Sequence, residues 1–587
     1  MPFPNVAIND LYEAYDYIII GGGTAGCVLA NRLSRKPDVT VLLIERGHAG
    51  DSWQSQVPML SSHFASDGSQ SRVWTTAPQT HIGDREIQVL GGGSLGGTSK
   101  INATLYTRGL PAEWNSWAQI SGGEQWNYEN MEEYLLKSEK NLDKNLEGKH
   151  YHQVAGEWPH RSFPISWDHT VQSVLIKATS SLGLPYIEDL NSPYEPAHGF
   201  AKLHFCVNKD GSRASTSATF LPQQLVKTRS KHLHVCLNTV VHRIQIGAEK
   251  EKPRTEGVWI QASDGSGSPR LIHTKNEVIL AAGTITSPQV LLLSGIGPEK
   301  HLEEHGIPVT KNLPGVGSHL QDHLAVPVQF QVPMNDCILK LRTQIWLIIK
   351  EFFLYFFFGL GMLINASTMD AILFVQTRLL DEDNRVSAYS KVDMDARIPA
   401  NLPDLEVLPI ASADESILKK AKTKLGGLTL YSVSLRPESK GTIRLTSSNP
   451  FASVSIDPNY LSSQADRDLL RKGIRLSYKL KAQMLEQGYP ITDLHTPRST
   501  TDEDLDEFID KECVSVYHYS STCRMAPEGD GGVVDSRCRV YGIEGLRVAD
   551  ASVMPGVPSV HLAAVTVAVA EKCASMVLED AKGRAYS

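Results

Sequence analysis

Three glycines at a fixed spacing and one acidic residue form the pattern that points most directly to chemistry. Gly21, Gly23 and Gly26 fit the pattern G-x-G-x-x-G. Gly21 allows a tight turn, Gly23 lets a pyrophosphate approach the backbone, and Gly26 lets a helix lie close to a strand. Glu45 follows 19 positions after Gly26, where a carboxylate can accept hydrogen bonds from ribose hydroxyls. The pattern predicts a site for FAD or NAD, because the acid disfavours the 2′-phosphate of NADP.

The elements that position these glycines are indicated by the apolar runs around them. Asp16–Ile20 is β-branched and unbroken, which predicts a buried strand. A helix is predicted from about Ala25 to Arg35, with Thr24 and Ala25 at its start, and a second strand from Val39 to Ile44. The macrodipole of this helix favours an anionic pyrophosphate at its N-terminus.

The size and charge of the chain limit the classes of protein it can belong to. At 587 residues it exceeds the length of about 250 to 300 at which single cores stop growing, so two packed units are expected. The composition is 41% hydrophobic and 21% charged, which is typical of a globular protein. A net charge of -8 without a long basic run makes nucleic acid an unfavoured partner.

The cysteines and the first residues indicate the compartment. Eight cysteines are scattered without a C-x-x-C pair, which predicts buried thiols and neither a disulfide framework nor a metal site. The stretch Met1–Asn5 lacks the basic and apolar regions of a signal peptide, so an intracellular, cytoplasmic location is expected.

One apolar run, Ile345–Ile364, has a length of about 20 residues, enough for a membrane span. Lys350 and Glu351 interrupt it, and two charges inside hydrocarbon cost several kcal/mol. A buried or lid helix is therefore predicted. Peripheral contact of this run with a membrane is the less favoured alternative.

Four further segments carry a family resemblance that extends over almost the whole chain. They are Leu95–Asn102 with Tyr106–Gly109, Ala281–Pro298, Leu313–His323, and Gly545–Ser552. Together with the first glycine motif, they resemble the signatures of the glucose-methanol-choline oxidoreductases, and among these the aryl-alcohol oxidases of fungi. The resemblance implies an FAD-dependent alcohol oxidase or dehydrogenase.

The resemblance also assigns the residues that would hold FAD. These are Gly21, Gly23, Thr24, Ala25, Gly26, Glu45, Gly97, Thr98, Asn102, Val241, Asp550 and Ala551. Relatives with covalent flavin carry a His where this chain has Ile101, so non-covalent FAD is expected. Relatives usually carry basic residues where this chain reads Gly91–Ser94, which leaves Lys100 as a candidate for neutralising the pyrophosphate.

Two histidines are assigned to catalysis by the same resemblance. His518, in a segment similar to the family's H-P-x-G-T-x-x-M, is expected to be the base, and His561, which opens a predicted helix to Met576, is expected to hold the substrate oxygen. Oxidising an alcohol needs a proton acceptor and a hydrogen-bond donor, and imidazole serves both roles near neutral pH. The hydride would pass to flavin N5. Tyr519 and Ser521 replace the family's Pro and Gly beside His518, and His319 replaces its usual Asn.

The predicted fold is α/β, with a doubly wound FAD-binding domain and an inserted substrate domain that contains helices and an antiparallel sheet. The FAD-binding domain is expected to comprise residues 14–160, 199–322 and 514–587, and the substrate domain residues 161–198 and 323–513. The antiparallel sheet is suggested by the runs Leu428–Leu445 and Val454–Leu461.

Three functions stay open at this point. The favoured one is hydride removal from a small alcohol of specialised metabolism, with oxygen or another electron acceptor. Tyr517, Tyr519 and the aromatic run Phe352–Phe358 suit an aryl or other apolar alcohol, although core packing explains that run equally well. The alternatives are a non-redox lyase or cyclase on the same scaffold, and a flavin-holding or membrane-associated binding protein.

Overall fold

The computed structural model describes residues 2–61, 68–163, 170–194, 198–247, 253–365 and 369–585. Its strands, in chain order, are β1 (Ala14–Ile20), β2 (Val41–Ile44), β3 (Ser71–Thr75), β4 (Gln88–Gly92), β5 (Leu105–Tyr106), β6 (Glu139–Asn141), β7 (Trp158–Ser162), β8 (Tyr186–Ile187), β9 (Gly199–Lys202), β10 (His204–Phe205), β11 (Leu233–Cys236), β12 (Thr239–Gly247), β13 (Arg254–Ala262), β14 (Arg270–Leu280), β15 (Ile296–Gly297), β16 (Lys311–Asn312), β17 (Leu324–Val332), β18 (Ala371–Val375), β19 (Leu405–Ile410), β20 (Gly426–Ser434), β21 (Thr442–Leu445), β22 (Val454–Asp457), β23 (Thr492–His495), β24 (Val514–Ser515) and β25 (Leu546–Val548). Its α-helices are α1 (Thr24–Leu33), α2 (Trp53–Gln56), α3 (Pro58–Ser61), α4 (Pro111–Ser121), α5 (Tyr128–Ser138), α6 (Thr170–Ser181), α7 (Thr216–Thr219), α8 (Gln223–Thr228), α9 (Gly283–Leu293), α10 (Glu299–Glu304), α11 (Lys340–Thr343), α12 (Ile345–Phe358), α13 (Glu415–Lys420), α14 (Gln464–Glu486), α15 (Asp502–Glu512) and α16 (Leu562–Ala585).

The first sheet has a parallel half built from the predicted apolar strands. Its order is β11-β2-β1-β14-β13-β12, and β25 also pairs with β14. The pairs of β1 with β2, β1 with β14, β2 with β11 and β14 with β25 are parallel. Both predicted strands of the glycine motif are present, although the second begins at Val41. Their side chains are almost fully buried, as expected for strands covered on both faces.

The helix after the glycines is held to a helix from the other end of the chain. Arg32 of α1 makes a buried ion pair with Glu571 of α16 and a second one with Glu157. Both partners hydrogen-bond the guanidinium, which satisfies the buried charge. The glycine motif and α16 are therefore fixed to each other.

A second, mostly antiparallel sheet lies beside the first and has the order β23-β17-β20-β19-β18-β9-β8, with β24 also beside β17. β9 was predicted to belong to the FAD-binding domain, but it pairs with β18 in this sheet. The run Leu428–Leu445 divides, because β20 joins the large sheet whereas β21 pairs with β22 as a separate hairpin. The boundaries of the two domains otherwise stay predictions.

The apolar run that begins at Ile345 forms α12, and of the two predicted alternatives, a buried helix or a lid helix, the buried helix was wrong. Ile345, Trp346 and Phe357 are 69%, 79% and 71% exposed. Glu351, the acid that interrupts the run, points inward instead and accepts a 2.6 Å hydrogen bond from the Met362 backbone. Among the described residues, no helix is both long and apolar enough for a membrane span.

The carboxyl ends of the parallel strands gather the predicted site residues. Gly21 follows β1, Glu45 follows β2, Ala281 follows β14, and Asp550 lies two residues after β25. In open α/β sheets, ligands bind at this edge. The fold therefore brings together residues that are more than 500 positions apart.

Candidate active site

One cavity of about 780 Å³ is lined by nearly all the predicted site residues. Its lining includes Gly21, Gly23, Thr24, Ala25, Glu45, Gly97, Thr98, Asn102, Val241, His518, Asp550, Ala551 and His561. Gly26 does not line it. A Cβ on Gly26 would lie 1.8 Å from the Gly21 carbonyl oxygen, so this glycine permits close contact between α1 and the turn after β1.

Two glycine-rich loops meet at the N-terminus of α1. The Gly96 N–H donates to the Gly22 carbonyl at 2.7 Å, and the hydroxyls of Thr24 and Thr98 are 3.4 Å apart. A Cβ on Gly97 would lie 2.7 Å from the Gly23 Cα. A Cβ on Gly23 would instead meet only ordinary contacts, the nearest at 3.9 Å, and this residue borders the cavity. The loops thus form a cradle of bare backbone beside a helix N-terminus, which suits a pyrophosphate.

Glu45 is a buried carboxylate with both oxygens anchored by backbone groups. Oε2 accepts a hydrogen bond from Gly22 N at 2.8 Å, and Oε1 accepts one from Gly47 N at 2.7 Å. Burial raises the pKa of this carboxyl group, while the two backbone N–H groups oppose the rise. A carboxylate has about four lone-pair sites, so Glu45 retains acceptor capacity for two ribose hydroxyls.

The positive charges near this end of the cavity differ from the prediction. Lys100 does not line the cavity, because its ammonium donates to the carbonyls of Ala49 and Gly50 and lies 3.4 Å from Asp51. Arg46 and Arg72 line the cavity instead. Burial, with Arg46 as the second cause, lowers the pKa of Arg72 to about 10. A bound anion would relieve this unfavourable positive pair.

Asp550 fixes the start of α9 at the same edge. Its Oδ2 accepts hydrogen bonds from Gly283 N at 2.8 Å and from the Ser287 hydroxyl at 2.6 Å, and its Oδ1 accepts one from Ser552 N. The acid therefore ties β25 to α9 and borders the cavity. Val241, on β12, also lines the cavity at the position expected to meet an adenine.

Asn102 is oriented by a buried arginine that sequence reasoning missed. Its Oδ1 accepts hydrogen bonds from Arg213 Nη1 at 2.8 Å and from Thr104 N at 3.1 Å. Because both partners are donors, the side-chain oxygen is assigned and the NH₂ group is the part available to a ligand. Burial lowers the pKa of Arg213 to about 9. Neighbouring Ile101 lines the cavity with an apolar side chain that has no nucleophile.

The two histidines predicted to be catalytic face each other across the cavity. The ring centroids of His518 and His561 are 5.3 Å apart and the rings are nearly perpendicular. A third histidine, His323, places its Nδ1 2.9 Å from His518 Nδ1. The His561 side chain lies between the Thr107 hydroxyl, 3.3 Å from Nδ1, and the Glu406 carboxylate, 3.6 Å from Nε2.

Enclosure keeps two of these rings neutral. Burial, followed by the neighbouring His323 and His561, lowers the pKa of His518 well below its usual value. Burial lowers the pKa of His323 to about 3, although the Leu435 carbonyl acts in the opposite direction. At neutral pH His518 is therefore an uncharged imidazole that can accept a proton.

The backbone around His518 is held in an unusual conformation by Asp322. The Asp322 Oδ1 accepts a 2.8 Å hydrogen bond from His518 N, and Oδ2 accepts bonds from the hydroxyls of Ser515 and Tyr460. Tyr517 and Ser521, on either side of His518, have φ values of 64° and 72°. Non-glycine residues adopt this region uncommonly, and it is least common for bulky side chains such as that of Tyr517.

Backbone φ angles bear on two of the departures from the family pattern. Ser521 stands where the family has Gly, and His319, with φ of 59°, stands where it has Asn. Gly and Asn are the residues that adopt the left-handed region most readily. Both positions thus have the left-handed backbone conformation that Gly and Asn adopt readily, although their side chains differ from the family pattern.

Glu406 and His323 are functional candidates absent from the predicted site. Glu406 is 2% exposed on β19 and lines the cavity, yet its Oε2 makes no hydrogen bond among the described residues. The signal for Glu406 was a lone acid in the apolar strand Leu405–Ile410. The signal for His323 was its place at the end of the Leu313–His323 motif.

The aromatic side chains expected near the substrate separate into two groups. Tyr517 and Tyr519 line the cavity, but none of the residues Phe352–Phe358 does. The latter belong to α12, and several of them are exposed at the surface. Their expected role in binding an apolar alcohol was therefore wrong.

Outside the cavity, a buried network joins Glu139, His152 and His160, whose ligand atoms lie within 4.8 Å of one another. His152 bridges Glu139 and Asp189 at 2.8 Å each, and Arg108 lies 3.6 Å from Glu139. Arg108 and the hydrogen bonds of the two histidines stabilise the carboxylates of this network. All eight cysteines are buried free thiols, as predicted.

Comparisons with known proteins bear on the family and the fold of the chain. A family model described as GMC oxidoreductase matches residues 15–325 with its N-terminal part and residues 437–570 with its C-terminal part. An oxygen-dependent choline dehydrogenase of Chromohalobacter salexigens is 33% identical over 574 residues, covering 96% of this chain and 94% of its own. A formate oxidase of Aspergillus oryzae, studied for FAD modification, superposes with a TM-score of 0.85 at 25% identity, covering 97% and 99% of the two chains. A fungal aryl-alcohol oxidase shares the fold, with a TM-score of 0.80 at 24% identity and coverage of 97% and 100%.

Proposed function

Because the chain belongs to the GMC oxidoreductases and is an FAD-dependent oxidase or dehydrogenase, we propose that it oxidises the CH–OH group of a small alcohol with His518 as the base. The observation that carries the proposal is the position of the His518 ring, which lines the cavity with its centroid 5.3 Å from that of His561. FAD, when bound, supplies the acceptor for the hydride that leaves the carbinol carbon. The relatives reported above give no support to the non-redox alternative.

His323 is proposed to hold His518 in the productive tautomer. The 2.9 Å contact between the two Nδ1 atoms requires one donor and one acceptor, because both rings are neutral. We propose that His518 is the donor of this bond. His323 Nδ1 then accepts from His518 Nδ1–H, which leaves the lone pair of His518 on Nε2 for the hydroxyl proton of the substrate.

His561 is proposed to donate a hydrogen bond to the substrate oxygen. Thr107 can donate to His561 Nδ1, which leaves the ring proton on Nε2, the nitrogen nearest Glu406. An N–H directed at the oxygen stabilises the negative charge that develops as the proton leaves. His561 immediately precedes α16, which begins at Leu562, one position later than the predicted start of this helix.

The substrate class is constrained by Glu406. A buried carboxylate oxygen without a hydrogen-bond partner is costly unless a ligand satisfies it. A substrate with a second hydroxyl, an ammonium or a quaternary ammonium group would do so, whereas a plain aryl alcohol would not. We therefore favour a hydroxylated or cationic alcohol over the purely apolar one expected from the sequence.

The cavity residues fit FAD bound without a covalent link. The bare-backbone cradle at Gly23, the anchored Glu45 and the exposed amide of Asn102 offer a pyrophosphate site, a ribose acceptor and a donor group. Arg46 and Arg72 replace Lys100 as the residues that would neutralise phosphate charge. Ile101 supplies no atom for a covalent bond. A cytoplasmic location, a role in specialised metabolism and the identity of the electron acceptor stay proposals.

The test is to purify the protein with its flavin and add candidate alcohols without oxygen. Choline-like, polyol, aliphatic and aryl alcohols are compared by bleaching of the flavin absorbance, and peroxide is then measured in air. Bleaching by a hydroxylated or cationic alcohol, lost in His518→Ala with the flavin still bound, is expected. Product formation while the flavin stays oxidised would refute the redox proposal.

A further inference from the structure

Helix α12 is apolar almost all round and leaves most of its apolar side chains exposed. Its buried residues are Glu351 and Tyr355, one turn apart, and Phe352 packs beside them against the core. The outward face carries Ile345, Trp346, Ile349, Phe353, Phe356 and Phe357, with exposures between 52% and 79%. A surface helix normally buries its apolar stripe and exposes its charges. This helix therefore presents its apolar stripe to whatever lies outside the protein.

The apolar surface extends beyond the helix. Phe358 and Leu360 continue it at the C-terminal end, and Trp53 of α2, which is 51% exposed, lies 6.1 Å from Phe356 between ring centroids. Taking about 200 Å² for each aromatic side chain, the exposed aromatic area alone is roughly 750 Å². Contiguous patches of this size mark sites of interaction.

Basic residues surround the N-terminal end of this helix. Arg342 of α11 pairs with Glu415 of α13, which places α13 and the loop after it beside α11. Gly426, at the end of that loop, lies against Cys337 and Met334. The exposed or half-exposed basic side chains of these segments are Lys340, Arg342, Lys350, Lys419, Lys420, Lys422 and Lys424.

Few acids oppose these charges. Asp414 is engaged in capping α13, and Glu415 pairs with Arg342. Asp336 and Glu351 are buried. The segments around the apolar face therefore carry a clear excess of positive charge, in a protein whose net charge is -8.

We propose that the outward face of α12 inserts into the headgroup region of an anionic lipid bilayer, with the flanking lysines on the lipid phosphates. An apolar helix face bordered by four to eight basic residues is the pattern of an interfacial, lipid-bound helix. The 14 residues of α12 span about 21 Å, so the helix lies in the plane of the surface.

The experiment uses the FAD-loaded protein and vesicle flotation. Vesicles of phosphatidylcholine alone are compared with vesicles that contain about one third phosphatidylserine. The wild type is expected to float with the anionic vesicles and to be released by high salt. A triple variant, Trp346→Ser, Phe353→Ser and Phe357→Ser, is expected to lose at least about tenfold in the bound fraction.

A matched triple, Val154→Ser, Tyr186→Ser and Val392→Ser, removes exposed apolar side chains elsewhere and is expected to bind like wild type. Tryptophan fluorescence should be quenched by brominated lipids, and this quenching should be weaker in Trp346→Phe.

The role of the basic residues is tested separately. Lys419→Glu, Lys422→Glu and Lys424→Glu together should abolish the preference for anionic vesicles, whereas the same changes at Lys36, Lys231 and Lys300 should not. The proposal is overturned if wild type floats with neither vesicle, or if the serine triple binds equally well. It is also overturned if light scattering shows a dimer that the serine triple dissociates.

Discussion

Replacing His323 by Leu tests the proposed hydrogen bond to the base. The substitution keeps the site apolar and filled but removes the acceptor 2.9 Å from His518 Nδ1. A buried donor left without an acceptor costs about 1 to 3 kcal/mol. The His518 ring then shifts its proton to Nε2, so the tautomer with a free Nε2 lone pair becomes less populated. At about 1.4 kcal/mol per factor of ten, the rate of hydride transfer should fall about 10- to 100-fold.

The assay is anaerobic stopped-flow bleaching of the flavin with the alcohol found in the substrate screen. His323→Leu should lower the limiting rate and leave the substrate dissociation constant nearly unchanged. The acid limb of the pH profile should also move to higher pH, because His323 is one of the causes that lower the pKa of His518. His323→Asn, which can offer an oxygen near the Nδ1 position, should recover most of the rate.

His198 provides the matched control. It is fully buried, its Nε2 has no partner among the described residues, and burial lowers its pKa to about 4, but it does not line the cavity. His198→Leu should alter stability without altering the pH profile. The proposed hydrogen bond from His518 to His323 is refuted if His323→Leu keeps more than half the wild-type rate. It is also refuted if His323→Asn is as slow as His323→Leu, or if His198→Leu is equally impaired.

Glu406→Gln should raise the KM for hydroxylated or cationic alcohols at least about tenfold, since a charge-assisted hydrogen bond contributes about 1.5 to 3 kcal/mol. The KM for benzyl alcohol should change little. Equal effects on both classes of alcohol would exclude a role of Glu406 in substrate choice. Gly23→Ala should fold with an unchanged melting temperature but should bind no FAD, which the flavin content after purification measures. Gly26→Ala should fail to give folded protein, as judged by circular dichroism. Between pH of about 6.5 and about 3, the unfolded chain binds a proton at His323 that the folded chain does not, because the pKa of this group falls to about 3 on folding. The free energy of unfolding should therefore decrease as pH falls through this window, by about 1.4 kcal/mol per pH unit for this group. In urea titrations, His323→Leu should show a weaker dependence of this free energy on pH than the wild type. A steeper dependence in His323→Leu would contradict the pKa shift.

The elements next to the glycine motif could be predicted because local sequence determines them. A β-branched run, three glycines and an amphipathic segment leave little choice of structure, and β1, α1 and β2 lie within two residues of the predicted bounds. The resemblance then supplied the residues that the fold gathers around the cavity. The roles of these residues stay predictions.

Contacts between distant segments could not be predicted. Glu406 and His561 are 155 positions apart, and only the pairing of β19 within the large sheet places the acid beside the ring. Lys100 lies in the glycine-rich loop that was expected to neutralise the pyrophosphate, but its ammonium donates hydrogen bonds to the carbonyl oxygens of Ala49 and Gly50 instead.

The orientation of α12 escaped prediction for a related reason. A helix that is apolar almost all round has no periodicity that shows which face is outward. The side of the helix that carries Glu351 faces the protein, where the Glu351 carboxylate accepts a hydrogen bond from the buried backbone N–H of Met362.

The strand β25 and the acid that follows it have a consequence for the order of events during synthesis. Asp550 fixes the start of α9 from a position about 500 residues beyond the glycine motif. At about 5 to 20 residues per second, roughly 25 to 100 s pass on the ribosome between the emergence of these two parts. For that interval the nascent chain has its nucleotide motif but lacks the neighbour of β14. We therefore expect the cofactor to bind after translation has passed Asp550, because a shorter chain would have the glycine motif without the strand and the acid that complete the cavity.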